Sequence, residues 1–420
     1  MNADLVIIGA GIAGLRCGIE LLKQTPSRQI AILEKYGYAG GRVVTYRQEL
    51  ESLSGACRFL QWENGAGRIS ENHTTICELV KQYGLTKIPL TDKILYEEDG
   101  ILAPNVFTDT MKLLIPVLES LEPEVLATHT LRELLEEILG EEHTNALLLQ
   151  FPYRAEVDTL RADLGLECFQ KEMGTYKGYF VLKEGLSALI QHMRTEFEQL
   201  GGTIFFKTEV TDIQKEGSLL LISCKTPNGT VLWETPTCIC ALHAEAFEQI
   251  PLFKEWTILS HLKMEPLVRI YAVFPTKRGA AWFADLPKVV SKGPLRFFIP
   301  MNPACGTVMI SYTEGKDARS VLRLLEKRGE KAVQQWILEE ARKAFPTKDI
   351  PEPLFFKIHP WTSGCTYWLP GSYDPVKESH KSLKPFSDLN LYCCGESFSL
   401  RQAWMEGAVE QADLLLQTYF

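Results

Sequence analysis

The stretch "DLVIIGAGIAGLRCGIELLK", residues 4–23, decides the fold. Residues 4–8 are a short apolar run of the kind that makes a fully buried parallel strand. The run leads directly into Gly9, Gly11 and Gly14 in G-x-G-x-x-G spacing, after which Ile12, Leu15, Ile19 and Leu22 recur at helical intervals. Each glycine has its own physical reason: one makes the turn, one admits a pyrophosphate, one lets helix and strand pack closely. The phosphates would rest on the helix N-terminus, where free amides and the dipole favour anions. A second strand is predicted over residues 30–33 and ends at Glu34, 20 residues after Gly14, where the ribose hydroxyls of an adenosine would lie. Three glycines alone are weak evidence, but set between a strand and a helix they predict a dinucleotide site. Its candidate contacts are Gly9, Gly11, Ile12, Ala13, Gly14, Glu34 and Lys35.

Length and composition narrow the class around this site. A chain of 420 residues predicts more than one domain. With 45% hydrophobic and 23% charged residues it reads as globular, and a net charge of −9 with no basic stripe argues against a nucleic-acid partner. Strand-like residues from Asp4 leave no room for a signal peptide, and no apolar run approaches the roughly 20 residues of a membrane span. Eleven cysteines without regular spacing fit reduced thiols and a cytoplasmic location, and none shows the spacing of a metal site.

Immediately after the second strand, "GGRVVT" (residues 40–45) sets Gly41, Arg42 and Val43 beside the same pyrophosphate. That second clamp separates a flavin reading from a nicotinamide one. Here the chain resembles the flavin-containing amine oxidase superfamily, which includes monoamine and polyamine oxidases and L-amino-acid oxidases. The resemblance extends to the far end, where "LYCCGESFSLRQAWMEGAVEQADLLL" (residues 391–416) is similar to the family's C-terminal flavin segment. It implies that Gly395 and Glu396 meet the ribityl or phosphate region. The amides near Met405 would face the flavin pyrimidine and stabilise negative charge there. "KGYFVLKEGLSALIQHM" and "GGTIFFKTEVTDIQ" are similar to the family's return to the flavin domain, with Val210 touching the adenine.

The resemblance implies an α/β fold, in which an FAD-binding Rossmann-type domain is interleaved with a substrate domain of mixed sheet and helices. Residues 1–72, 178–250 and 360–420 would build the FAD-binding domain, 73–177 a helical region and 251–359 the substrate domain. Within the last, residues 322–328 and 332–345 read as amphipathic helices.

The phrase "ENGAGRISENH" (residues 63–73) supplies the most specific substrate clue. The resemblance implies that Gly65 and Ala66 bring backbone against the flavin ring. It also implies that Arg68 stands where L-amino-acid oxidases hold the substrate carboxylate, a task suited to a planar guanidinium. Those oxidases add a tyrosine before a proline, whereas this chain has Ile299 before Pro300. Trp404 occupies the family's aromatic wall beside the flavin, and "HPWTSGCTYW" (residues 359–368) brings Trp361 as the second wall. Cys365 falls where monoamine oxidases attach flavin, with different spacing to Pro370, so a non-covalent cofactor is expected. Where most members place a lysine near flavin N5, "PLVRIYAVFP" offers Arg269, unless the register slips and Lys263 reaches in instead. Arginine stays protonated, so Arg269 can order water and attract electrons but cannot act as a base.

The expected activity is oxidation of an amine C–N bond to an imine, with hydride passing to flavin N5 and molecular oxygen as acceptor giving hydrogen peroxide. The implied partners are a small amine or amino acid, with no membrane and no nucleic acid. An L-amino-acid oxidase using Arg68 is the alternative. A flavin-dependent desaturase, or a flavin-binding protein that has lost catalysis through Arg269, stands behind it.

Overall fold

Strand β1 (Leu5–Ile8) is buried at every position, and its two faces pack on different partners. Leu5 and Ile7 join the core formed with α1 (Ile12–Gln24), helix Leu186–Gln199 and the final helix Met405–Tyr419. Val6 and Ile8 point the other way, towards Ile213, Ile222 and Trp233 of an antiparallel sheet spanning residues 209–235. Side chains alternate across a strand, so a run covered on both faces must be apolar throughout. Around β1 lies a five-stranded parallel sheet in the order Thr203–Phe205, β2 (Ile30–Leu33), β1, Cys238–Cys240, Leu391–Cys393. The computed structural model describes residues 1–51, 53, 55–174 and 178–420, so the last three residues of the predicted helical region, 175–177, lie outside it.

The second large element is a seven-stranded sheet with Leu262–Val273 between Phe355–Trp368 and Thr307–Glu314. Beyond these come Phe297–Asn302, Lys288–Ser291 and a hairpin drawn from residues 94–104. One face of this sheet, with Val268, Ile270, Ala272, Val308 and Ile310, packs under helix Gly315–Ala344. That helix breaks at Gly329 (φ 75°, ψ 179°), so the two predicted amphipathic helices stand on either side of one left-handed residue. The opposite face carries Leu267, Tyr271 and Tyr312, and it packs on Leu60 and Trp62. These two belong to the hairpin of β3 (Thr45–Glu49) and β4 (Phe59–Glu63). Tyr46, Trp62 and Tyr271 stack with ring centroids 5.1 and 4.7 Å apart, and Trp62 donates to Nε2 of His359 at 2.9 Å. Six helices between residues 107 and 174 form a separate helical core around Leu134, Leu148 and Phe169.

The cysteines depart from the expectation of reduced thiols throughout. Cys57 and Cys305 form a disulfide with Cα atoms 5.1 Å apart, while nine others are free. The partners are 248 residues apart and meet only because the loop before β4 reaches the turn before strand Thr307–Glu314, so spacing could not reveal them. No helix among the described residues is long and apolar enough to cross a membrane, and no metal-ligating cluster occurs among them.

Candidate functional site

The three glycines of the first turn differ in what their missing side chains leave room for. Gly9 has φ +102°, and a Cβ there would lie 2.6 Å from the Ala241 carbonyl oxygen. At Gly14 a Cβ would lie 2.0 Å from the Gly9 carbonyl oxygen, so this glycine lets α1 sit down on the turn. Gly11 is different. Its backbone (φ −71°, ψ 176°) suits any residue, yet a Cβ would meet nothing within 4 Å. It opens onto space free of protein atoms, an open cradle at the N-terminus of α1, whose first turn buries Ile12 and Ala13.

The ends of the neighbouring strands line that cradle. Glu34, buried just beyond β2, accepts from the Ala10 and Tyr36 amides at 2.8 Å each, and burial raises its pKa above the usual carboxylate range. Lys35 pairs with Glu209 at 2.6 Å, next to Val210, which packs against the core below. The Gly40–Gly41 turn lies alongside Gly11, with Gly41 at φ +58°, and the buried Val43 donates back to the Gly40 carbonyl. His243 is a residue that motif reading missed. Its Nδ1 is buried and makes no hydrogen bond among the described residues, and burial, then the charge of Arg42, pushes its pKa down to about 4. An open cradle beside an unpartnered buried nitrogen fits a bound dinucleotide, since buried polar atoms normally have partners.

Arg42 joins this half to the far end of the chain. It donates to the Gly364 carbonyl at 2.9 Å and pairs with Glu396 at 2.9 Å. Glu396 also accepts from the Thr366 amide, the Thr366 hydroxyl and the Ala403 amide. Gly395 before it has φ +128°, and Ala403 is held at φ +64°, a left-handed conformation costly for a residue with a Cβ. Met405 is buried at the start of the final helix. Glu406, fully buried, turns away to cap another helix. Its carboxylate accepts from the Thr75 and Ile76 amides at 2.8 Å each, at the N-terminus of α2 (Thr74–Gln82). Glu406→Ala is therefore expected to strand buried amides and lower stability by about 2 kcal/mol, read by chemical denaturation of the purified protein.

The 63–68 loop then runs between two layers, and its glycines identify what it approaches. A Cβ at Gly65 would lie 2.0 Å from the Arg42 carbonyl oxygen and 3.3 Å from the Trp361 ring. Ala66 donates to the same Arg42 carbonyl at 2.9 Å, and Trp361 donates to the Asn64 carbonyl at 2.9 Å. At Gly67 a Cβ would lie 2.4 Å from both terminal nitrogens of Arg269. The second glycine thus makes the seat of a part-buried guanidinium. Lys263 does not reach in. It lies half exposed at the start of the strand and pairs with Glu265 at 2.7 Å.

Arg269 sits 5.1 Å from the centre of the Tyr312 ring and donates to the Tyr271 hydroxyl at 3.4 Å, while its Nε has no partner among the described residues. Burial opposes its charge, but Tyr271 and Tyr312 hold its pKa above the ordinary arginine value. Glu63, at the end of β4, has both oxygens occupied, by the Leu186 amide and the Thr45 hydroxyl, at 2.9 Å each. Burial lifts it to about 7 although these donors and Arg269 pull the other way.

Arg68 leaves the loop on the other side, with its guanidinium carbon 4.6, 4.1 and 5.4 Å from the ring centres of Tyr153, Tyr179 and Trp404. It also donates to the Tyr153 hydroxyl. The structure therefore brings Arg68 and Trp404 together and places Trp361 and Arg269 along the same loop, at Gly65 and Gly67. Tyr153 and Tyr179 carry no motif that could have announced them, because the chain brings them in from the helical region and the short strand Tyr179–Leu182. His73 packs edge-on against Trp404 with centroids 4.7 Å apart, and burial lowers its pKa to about 3, so it is neutral. A cavity of about 250 Å³ opens on this side of Trp404, lined also by His73, Cys168, Leu400 and Arg401. A smaller void shares Cys168, Leu400 and Trp404 with it and reaches Tyr367. Cys365 is free, and burial holds its thiol well above the usual range, which disfavours the reactive thiolate.

Comparison with known proteins gives the fold and the family. Two solved structures of putrescine oxidase, from a redesign of its cofactor binding, superpose at TM-score 0.73. One, a double mutant, is 15% identical with 99% of both chains covered, and the other, a single mutant, is 14% identical with 100% of both covered. That likeness shows a shared fold. No match is found among curated proteins. The family model for flavin containing amine oxidoreductases matches residues 12–414, and the chain belongs to that family.

Proposed function

We propose that the protein oxidises the C–N bond of a small amine to an imine. The observation that carries this reading is the loop of residues 63–68, which ties the open dinucleotide cradle to a buried polar face of the substrate sheet through Arg42, Trp361 and Arg269. FAD, when bound, supplies the acceptor for a hydride at N5 and passes the electrons to oxygen, releasing hydrogen peroxide. The residues that would hold it are Gly9, Gly11, Ile12, Ala13 and Gly14 at the pyrophosphate, with Glu34, Lys35 and Val210 at the adenosine. Gly41, Arg42, Val43, Gly65, Ala66, Gly395, Glu396 and Met405 would serve the rest. Trp404 and Trp361 orient a neutral amine between them. Arg269 is a fixed positive charge that orders water and draws electron density, since it has no proton to give up at neutral pH. Peroxide release over a panel of primary amines tests the reading. No amine-dependent peroxide and no anaerobic bleaching of the bound flavin would overturn it.

One observation favours amino acids as a second reading. Burial, then the charge of Arg68, lowers the pKa of Lys288 to about 8, so a second cation stands within electrostatic range of Arg68. If Arg68 binds a carboxylate there, L-amino acids should reduce the flavin faster than their decarboxylated amines. Arg68→Ala should then lose about tenfold to a hundredfold in amino-acid efficiency, the worth of one charge-assisted hydrogen bond, and leave amines far less affected. Arg68→Lys keeps the charge but loses the planar fork and should fall between. Stopped-flow reduction measures this, and equal losses for both substrate classes would assign Arg68 to ordering the loop.

A further inference from the structure

On the loop-facing side of the substrate sheet, the part-buried Arg269 and the buried Glu314 are two opposite charges that make no ion pair with each other. Strand register places them on one face, because Arg269 pairs with Tyr312 and Leu267 with Glu314 across neighbouring strands. The Arg269 guanidinium lies over the Tyr312 ring, and the Tyr312 hydroxyl donates to Oε1 of Glu314. Oε2 of Glu314, on a side chain only 6% exposed, has no hydrogen-bond partner among the described residues. A buried carboxylate oxygen left unpaired is costly, so a ligand that completes it is the economical explanation. No neighbour completes a hydrogen bond to Oε2, although the Ala155 amide is directed at this carboxyl. Arg68 and Arg269 act on it as charges, and its own charge acts on Tyr367 and Cys365 of strand Phe355–Trp368. The small void is lined by Tyr367, which feels the Glu314 charge, and it shares Cys168, Leu400 and Trp404 with the larger cavity.

We propose that Glu314 receives the substrate's ammonium at Oε2 and takes one proton from it. An amine arrives largely protonated, because alkylammonium groups titrate near 10, and it carries no lone pair until a base accepts that proton. In the step an N–H bond breaks and an O–H bond forms, the electron pair stays on nitrogen, and nothing is oxidised or reduced. Among the other acids and bases, Glu63 has both oxygens filled, while His73 and His359 are neutral, with pKa lowered by burial to about 3 and about 4. Glu156, Glu167 and Glu410 line the cavities from helices rather than from the sheet face that carries Arg269. Burial lifts Glu314 to about 7, against the pull of Tyr312, the Ala155 amide, Arg269 and Arg68, so it is ionised above neutrality and able to hold a proton near it.

This assignment rests on the amine-oxidising reading, and the test separates the two. Holoenzyme is mixed anaerobically with n-butylamine, benzylamine and 1,4-diaminobutane across a pH series, for wild type and Glu314→Gln. In the wild type, flavin reduction at saturating amine should fall as pH drops through the neutral range, where Glu314 becomes protonated. In Glu314→Gln the rate at neutral pH should fall by about 100-fold, and the acid limb should move up towards the pKa of the free amine. Glu314→Asp should keep the neutral limb at a lower rate. A second readout needs no turnover. The affinity for tert-butylammonium, which has no α-hydrogen to lose, should drop about tenfold or more in Glu314→Gln by calorimetry. A wild type that no amine reduces would overturn both readings. A reducible wild type matched by Glu314→Gln in rate, pH profile and tert-butylammonium affinity, at equal flavin content, would overturn the role of Glu314 alone.

Discussion

Gly11→Val is expected to yield a folded, colourless protein. The backbone at Gly11 is extended, and the space a side chain would enter is empty of protein atoms, so the substitution leaves the fold intact. The same methyl groups occupy the approach to the free amides of α1, where a pyrophosphate has to come closest. The flavin-to-protein absorbance ratio should fall close to zero while circular dichroism stays that of the wild type. Gly14→Val supplies the contrast. Its Cβ would press on the Gly9 carbonyl at 2.0 Å, a backbone atom with nowhere to go, so this variant is expected to fail to accumulate as folded protein. A Gly11→Val protein that still carries stoichiometric flavin would remove the cradle from the cofactor site. One motif would thus separate into a glycine for the ligand and a glycine for the fold.

Gly67→Ala is expected to displace the Arg269 guanidinium. Its Cβ would stand 2.4 Å from two nitrogens and 2.7 Å from the central carbon of the Arg269 guanidinium. Arg269 is part-buried between that loop and the Tyr312 ring, and the far end of its flexible side chain is what gives way to the added methyl. If its fixed charge assists the reaction, displacement should cost on the order of 100-fold in the rate of flavin reduction, comparable with Arg269→Ala. The two changes should not add, because each removes the same placed charge. The double variant Gly67→Ala, Arg269→Ala is therefore expected to match either single one. Fully additive losses, or a Gly67→Ala protein that is destabilised yet reduces its flavin at the wild-type rate, would leave Arg269 a packing residue.

Sequence and structure divide the site between them along physical lines. The strand–turn–helix at the start of the parallel sheet was legible because its pattern is local: strand, three glycines and helix occupy neighbouring positions, and each obeys a rule about backbone approach or helix termini. The same holds for the interruption at Gly329 and the predicted helices on its two sides. Arg68 and Trp404 were visible as residue types at meaningful places, and the fold does set them within one cage. What completes that cage was not visible. Tyr153 and Tyr179 come from segments with no motif, and they reach Arg68 only because helices and sheet close over the loop. Glu406 reads as part of a flavin-facing helix end, yet its carboxylate caps α2, more than 300 residues earlier in the chain.

The sequence by itself determined the dinucleotide fold and singled out a candidate cation at residue 269, since local pattern and residue type carry that information. Only the tertiary structure decided that Gly67 exists to seat that cation, that Cys57 and Cys305 are joined, and that Glu314 is left with an unpaired buried oxygen. Each of these depends on which strands lie side by side and in what register. Pairing across a sheet is a long-range choice, made by the packing of whole faces rather than by neighbours in the chain.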